Sequence, residues 1–237
     1  MGLVEIWAHR GASAQAPENT MAAFELAHRQ GAVGIEFDVQ RTVDGALVVI
    51  HDDTIDRTSN GTGRVGELTL AELRRHRYHA GMDGFADAGI ATLAEVLDWL
   101  PADLQANVEL KTLPYFQDGI AAAAVAEIHA AGVAERVWVS SFNHHTLQEV
   151  RRADPDLRLG VLAAAHLWQP ADYVQPCGGA AYHPQAAVLQ SPEVVEQCHA
   201  AGLRVHVWTV DDPELARTAE QIGVDALITN RPDALLN

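Results

Sequence analysis

The sequence predicts an α/β fold: a single (β/α)8 TIM barrel over residues 1–237, with a small insertion after an early strand, at 52–90. Three observations predict it. Strand-like and helix-like segments alternate along almost the whole chain, which argues for a parallel sheet covered by helices. About eight such units fit into 237 residues, the ordinary length of one such barrel. No linker-like stretch divides the sequence, so two separate domains are the poorer reading. On pattern alone, the competing architecture is an open doubly wound sheet.

The elements follow in order. Val4 to Ala8 is a short apolar run, as in a buried strand. Asn19 to Gln30 reads as a helix with Met21, Phe24, Leu26 and Ala27 on its apolar face, and Gly31 stops it. Val33 to Val39 is the next strand. Asp44-Gly45 is a tight-turn signal, and Ala46 to Ile50 beyond it is extended. The rhythm then breaks. Residues 52–90 hold Ser59-Asn60-Gly61-Thr62-Gly63, a charged helix-like piece (Leu70 to Arg77) and a Gly/Asp-rich piece (Gly81 to Gly89). This is too long for an ordinary βα loop, and we read it as an insertion over one mouth of the barrel.

Alternation resumes at Thr92 with a helix to Leu100, a strand from Ala106 to Lys111 and an Ala-rich helix from Gln117 to Ala131. A strand at Val137 to Ser140, a helix at His144 to Ala153 and a strand at Leu157 to Leu162 come next. Residues 163–190 carry the weakest pattern, with one short strand expected near Ala180. The end is regular: helix Pro192 to Ala201, strand Arg204 to Thr209, helix Pro213 to Ile222, strand Ala226 to Thr229.

Composition narrows the function classes. Against 16 Lys and Arg stand 32 Asp and Glu, a net charge of −16, so the basic face of a nucleic-acid binder is missing. An anionic substrate is still allowed, because a bound cation makes a site locally positive. Cys177 and Cys198 have no zinc-type spacing and read as free thiols of a reducing compartment. No apolar run approaches the roughly 20 residues of a membrane span. Glu5 falls where a leader's apolar segment would begin, and Ile6 replaces the Ser or Thr of a myristoylation start. The sequence as it stands is expected in the cytoplasm, although a chain trimmed of its leader would look the same.

Active sites of such barrels lie at the C-terminal ends of the strands, so polar residues closing apolar strands are the candidates. The first strand closes in His9-Arg10. The second carries Glu36 and Asp38, two apart and therefore on one side. The run after Gly45 closes in His51-Asp52, the next strand in Glu109-Leu110-Lys111, and a late one in Trp208. Glu36, Asp38 and Glu109 are hard oxygen ligands that would repel one another without a cation or protons, and they suit Mg²⁺ or Ca²⁺ better than zinc. His9 and His51 exchange protons near neutral pH. Arg10 and Lys111 are cations able to hold phosphate oxygens. Together the set describes phosphoryl transfer. Taken singly, each has a plainer reading as a structural strand-end histidine or a salt-bridged rim.

Several motifs together resemble the glycerophosphodiester phosphodiesterases. They are Ala8-His9-Arg10-Gly11, Pro17-Glu18-Asn19-Thr20, Glu36-Phe37-Asp38-Val39, Thr42-Val43-Asp44-Gly45 and His51-Asp52, followed by Arg57 to Gly63, Val108-Glu109-Leu110-Lys111, Ser140-Ser141-Phe142 and Val207-Trp208-Thr209-Val210. The resemblance covers nearly the whole chain. It implies the barrel with its early insertion, a small-molecule glycerophosphodiester substrate, hydrolysis to glycerol 3-phosphate and an alcohol, and one bound divalent cation, Mg²⁺ or Ca²⁺. Residue by residue, Glu36, Asp38 and Glu109 look like the metal ligands and His9 and His51 like the acid–base pair. Arg10 and Lys111 look like phosphate ligands. Trp208 reads as an apolar wall for the glycerol or alcohol moiety, with a packed core tryptophan as the plainer alternative. Glu18 resembles a rim carboxylate that orients His9 or Arg10, on a helix start capped by Asn19 or Thr20. Arg41 and Val43 depart from the family pattern outside the expected first ring of contacts.

The sequence leaves open which histidine is base and which acid, and we assign His9 as base and His51 as acid. It also leaves open whether water or the substrate's own hydroxyl attacks. The insertion, with Tyr78, Met82 and Phe85, is expected to cover the leaving-group side and to favour small polar leaving groups. Rival readings are a lysophospholipase D or a cyclic-phosphate-forming lyase on the same barrel, a non-catalytic phosphate-ligand binding module, and a sugar isomerase, which would have no use for Arg10 and Lys111. Gly61 to Gly66 fits GxGxxG but follows no strand, so it is no dinucleotide fingerprint. His76, His79, His144 and His145 read as surface histidines, and His183 as a surface or core one in preference to one that lines the mouth. Nothing in the sequence is diagnostic of a subunit interface.

Overall fold

A computed structural model describes residues 4–114, 118–189 and 191–236. Nine strands run in the order β1 (Glu5–His9), β2 (Gly34–Arg41), β3 (Leu47–Val49), β4 (Gln105–Leu110), β5 (Val137–Ser141), β6 (Arg158–Ala163), β7 (Ala181–Pro184), β8 (Arg204–Trp208) and β9 (Ala226–Thr229) among the described residues. The helices between and after them are α1 (Met21–Gln30), α2 (Leu70–Leu73), α3 (Leu93–Trp99), α4 (Ile120–Ala131), α5 (His144–Ala153), α6 (Pro170–Val174), α7 (Pro192–Ala200), α8 (Pro213–Gln221) and α9 (Pro232–Leu235). Eight strands close into a ring in which every pairing is parallel, β1 meeting both β2 and β9. None of the described helices is long and apolar enough to cross a membrane.

The ninth strand is not part of the ring. β3 pairs antiparallel with the end of β2, Val39 opposite Val49 and Arg41 opposite Leu47. The turn signal at Asp44-Gly45 makes this hairpin, with Gly45 at φ 90°, where a side chain is strained. His51 therefore enters from outside the barrel wall rather than from the end of a wall strand.

Local chemistry explains most element ends. Thr20 caps α1 by accepting from the Ala23 amide, and Gly31 ends it in the left-handed conformation. Asn19, expected inside that helix, instead sits at φ 59° before the cap. Thr69 and Thr92 open α2 and α3 with reciprocal capping boxes. α2 ends at Leu73, short of the expected Arg77. The expected start of the Ala-rich helix at Gln117 lies outside the described residues.

Two cores result. The outer one lies between the ring and its helices and includes Phe24, Ile35, Phe37, Leu97 and Val139. The inner one fills the barrel with Trp7, Trp138, Ala181, Ala226 and Ile228. His183 and His206 are stacked beside it with centroids 4.7 Å apart, and both rings are wholly buried. Such bulk needs room. A Cβ on Gly34 would stand 2.4 Å from the Trp7 ring, and one on Gly160 would stand 2.3 Å from the His183 ring. At the N-terminal end Arg204 bonds Glu5, and Arg158 lies over Trp138.

Residues 52–90 pack around a third cluster of Ile55, Val65, Leu73, Tyr78 and Ile90, joined by Val48 and Ile50 of the hairpin. Tyr78 is buried there with its hydroxyl on the Leu73 carbonyl, so it does not face the mouth of the barrel. His144 is not a simple surface histidine either. Its ring nitrogens lie 2.7 Å from the Tyr173 hydroxyl and 2.9 Å from the Leu162 carbonyl.

Candidate active site

Parallel register builds the site. His9 of β1 pairs with Glu36 of β2, and Glu36 pairs with Asn107 of β4. One step up, Asp38 pairs with Glu109, and Glu109 with Ser140 of β5. Residues two apart share a face, so these rungs point into the C-terminal mouth together. Glu36, Asp38 and Glu109 offer oxygens within 4.8 Å of one another, and all three are buried. An all-oxygen donor set of this compactness fits a hard divalent cation.

The electrostatics show how the carboxylates coexist. Burial, reinforced by Asp38 and Glu109, pushes the Glu36 carboxyl well above the usual carboxylate range. Burial and then Asp38 push Glu109 up to about 7. For Asp38 burial works the same way, but Arg10 and Lys111 outweigh it and hold the carboxyl at about 2. Lys111 Nζ stands 2.8 Å from Glu109 and 3.5 Å from Asp38, and Arg10 Nε 3.3 Å from Asp38. Asn19 Nδ2 donates to the same Asp38 oxygen at 2.9 Å, which accounts for its strained backbone ahead of α1.

Arg10 is placed by an unusual turn. It has φ 58°, and Gly11 after it has φ 80°. A Cβ on Gly11 would stand 2.6 Å from the Ala23 backbone, so only glycine lets β1 turn this close to α1. The turn lets the Arg10 amide donate to the Glu36 carbonyl at 2.7 Å, while Nη1 donates to Glu18 at 2.9 Å. Glu18 thus orients Arg10, not His9. Arg57 bonds Asp52 within residues 52–90 and reaches across from that segment to Glu18.

The two candidate histidines have different partners. His9 Nδ1 lies 2.7 Å from Asn230 Oδ1, and its Nε2 stands 3.9 Å from Glu36. Burial, with Arg10 next, lowers the His9 imidazole to about 4. His51 Nδ1 lies 2.7 Å from the Asp52 carboxylate. Asp52 is held at about 2, chiefly by its hydrogen bond from Arg57. Both rings line one small cavity of about 50 Å³ with Arg10, Glu36, Asn107, Glu109, Lys111, Phe142 and Trp208. Trp208 is half-buried, edge-on to Phe142 at 5.4 Å, and anchored by Nε1 on the His183 carbonyl. His51 and Lys111 also line an open groove of about 630 Å³ that runs between the β2–β3 turn, Asp53, Arg64 and Glu67, and Leu113.

Seven of the eight residues expected at the site line this one cavity, and the eighth, Asp38, sits in the rung with Glu109, its carboxylate grouped with those of Glu36 and Glu109. Sequence reasoning misses Asn107, Phe142, Asn230 and Asp211. Parity carries Asn107 and Phe142, which stand two residues from Glu109 and Ser140. Asn230 follows the last strand, where the strand-end rule applies as it does elsewhere. Asp211 carries no local signal, since it acts by accepting hydrogen bonds from Asn230 and from the Thr229 hydroxyl.

A family model described as the glycerophosphoryl diester phosphodiesterase family matches residues 9–234. The chain belongs to this family. Membership makes it an enzyme of the phosphoric diester hydrolase class. A glycerophosphodiester phosphodiesterase of Caldanaerobacter subterraneus subsp. tengcongensis is 40% identical over 234 residues, 97% of this chain and 95% of that one. Among solved structures, a glycerophosphodiester phosphodiesterase from Agrobacterium tumefaciens superposes with TM-score 0.88 at 31% identity, covering 99% of both chains. A phosphodiesterase of Oleispira antarctica, solved in complex with the product sn-glycerol-3-phosphate, superposes with TM-score 0.87 at 28% identity over 98% of this chain and 95% of that one.

Proposed function

We propose that this family member hydrolyses glycerophosphodiesters to glycerol 3-phosphate and an alcohol, with one divalent cation and with His9 as base and His51 as acid. The observation that carries the assignment is the contrast between the two Nδ1 partners. Asn230 offers His9 a neutral oxygen acceptor, so Nδ1 keeps its proton and Nε2 keeps a lone pair. Asp52 offers His51 a carboxylate, which compensates positive charge on that ring while Nε2 carries a proton to give. The product bound by the Oleispira antarctica relative supports glycerol 3-phosphate as the retained half.

Glu36, Asp38 and Glu109 would hold the cation, which supplies positive charge against the phosphoryl oxygens when bound. Arg10 and Lys111 then neutralise the phosphate, each already fixed by carboxylates on its other side. His9 Nε2 takes the proton of the attacking oxygen, of water or of the substrate's own hydroxyl, as that oxygen bonds to phosphorus; a cyclic phosphate formed in the second way is then opened by water to glycerol 3-phosphate. His51 Nε2 gives one to the departing alkoxide. Trp208 and Phe142 form the apolar wall that orients the carbon skeleton. The alcohol leaves along the groove beside His51. Its outer wall comes from Asp53, Arg64 and Glu67 of the proposed insertion, residues 52–90, rather than from Tyr78.

The test is release of glycerol 3-phosphate from glycerophosphocholine and glycerophosphoethanolamine, coupled to glycerol 3-phosphate oxidation. It is run without metal, with Mg²⁺ and with Ca²⁺. Cation-dependent release that His9→Ala abolishes is expected. Release unaffected by chelator overturns the cation. A cyclic phosphate as the only product, seen by phosphorus NMR, replaces hydrolysis with a lyase reaction.

A further inference from the structure

Asn107 has both amide atoms buried without a hydrogen-bond partner among the described residues, and it lines the cavity that holds Glu36 and Glu109. A carboxamide left this way costs stability, so its persistence asks for a ligand. Register shows what it stands beside. Glu36 and Asn107 form one rung across β2 and β4, and Asp38 and Glu109 form the next. Neighbouring strands lie about 4.8 Å apart, and alternate residues along a strand about 6.6 Å. The four inward side chains therefore start from the corners of one small rectangle. Three corners are carboxylates. The fourth supplies an oxygen without a charge.

We propose that the Asn107 carboxamide oxygen is the fourth protein ligand of the cation held by Glu36, Asp38 and Glu109. The proposal rests on the reading of those three as a cation site. Hard cations take six or more oxygens and accept Asn carbonyls among them, so three carboxylates leave positions to fill. Charge explains why the corner is an amide. With Arg10 and Lys111 adjacent, three carboxylates leave a local charge near −1, which one divalent cation reverses. A fourth carboxylate would add like-charge repulsion to a site where three buried carboxylates already have oxygens within 4.8 Å of one another.

The experiment measures cation binding in the absence of substrate, by calorimetric titration of the chelator-treated full chain with Ca²⁺ and with Mg²⁺, alongside thermal unfolding of the cation-free proteins. Four proteins are compared: wild type, Asn107→Leu, Asn107→Asp and Ser140→Ala. Ser140 is the control, because its hydroxyl is also buried and unpartnered but does not line the cavity. The Leu variant is expected to bind about tenfold or more weakly. Its cation-free melting temperature stays equal or rises, since an unsatisfied group has been replaced by an apolar one of similar size. The Asp variant keeps the oxygen and binds at least as tightly as wild type, from a less stable cation-free state. Ser140→Ala binds like wild type. Equal affinity of wild type and Asn107→Leu overturns the fourth corner alone. Weak binding by Asn107→Asp also overturns it, since the amide N–H would then be what matters. A wild type that binds neither cation overturns the carboxylate reading and this proposal with it.

Discussion

Asn230 presents its Oδ1 to His9, because its Nδ2 is committed to Asp211 at 2.6 Å and its backbone amide to the same carboxylate at 2.7 Å. The orientation of one amide thus sets the tautomer of the proposed base. Asn230→Asp puts a negative charge at that position and favours the imidazolium. The acid limb of kcat/KM, governed by a His9 imidazole lowered to about 4, is expected to move up by about one pH unit or more. His9→Ala should cost at least about 10² in kcat. A pH–rate profile of Asn230→Asp identical to wild type would remove Asn230 from the argument.

Base and acid separate by leaving group. A good leaving group such as p-nitrophenolate needs no proton, whereas choline alkoxide does. His51→Ala and Asp52→Asn are expected to lose about 10² or more on glycerophosphocholine and far less on the p-nitrophenyl ester. His9→Ala is expected to lose similar factors on both. The reverse pattern in steady-state kinetics would exchange the two roles.

Glu36→Gln trades stability against binding. Carboxyls whose folded pKa is raised stabilise the fold below their ordinary value near 4.5. They withdraw that stability as pH climbs toward the folded value, about 7 for Glu109. Removing one of these charges should raise the cation-free melting temperature at pH 8, by an amount equivalent to about 1 kcal/mol or more, and the gain should shrink toward pH 5. The same variant should lose the melting shift that Ca²⁺ or Mg²⁺ gives wild type. A variant less stable than wild type at pH 8, both cation-free, contradicts this.

Cation binding should release protons. With Glu109 titrating near 7 and Glu36 pushed up, the cation-free triad holds protons under mildly acidic conditions. Affinity is expected to fall between pH 8 and pH 6. Calorimetry in two buffers of different ionisation enthalpy counts the protons directly. A flat affinity across that range would mean the triad is already ionised.

Gly160→Ala tests the inner core. The new methyl would meet the His183 ring at 2.3 Å, in a barrel interior also filled by Trp7, Trp138 and His206. A loss of about 1–3 kcal/mol in urea unfolding is expected. A neutral result would show that His183 and His206 repack freely.

Much of this was legible in the sequence because the barrel turns strand position into spatial position. Glu36, Asp38 and Glu109 converge since the parallel ladder pairs Asp38 with Glu109. The period of two is readable without a structure, and Asn107 obeys it as well. What stayed hidden depends on contacts distant in sequence. Asp211 reaches His9 only through Asn230, across more than 200 residues of chain. The role of Ala46 to Ile50 stayed hidden for another reason: an apolar run of that length looks the same in a wall strand and in a hairpin arm. Tyr78 was misplaced because a large aromatic in a loop-rich segment serves a local cluster as readily as a substrate.

The ring of hydrogen bonds closes without β3, yet β3 leads into His51. The wall that carries His9 and the carboxylates is therefore closed without the segment that brings His51, the proposed acid. On the proposed roles, the stretch from the β2–β3 turn through residue 90 would act as a cartridge, carrying the proposed proton donor His51 together with the rim of the proposed leaving-group groove, latched to the barrel by Arg57 on Glu18. Exchanging that cartridge between relatives would change which alcohol departs while leaving the phosphate grip intact. The two histidines are thus held by parts of the fold that make separate hydrogen-bond systems: His9 by the closed ring, His51 by the hairpin arm that joins it from outside.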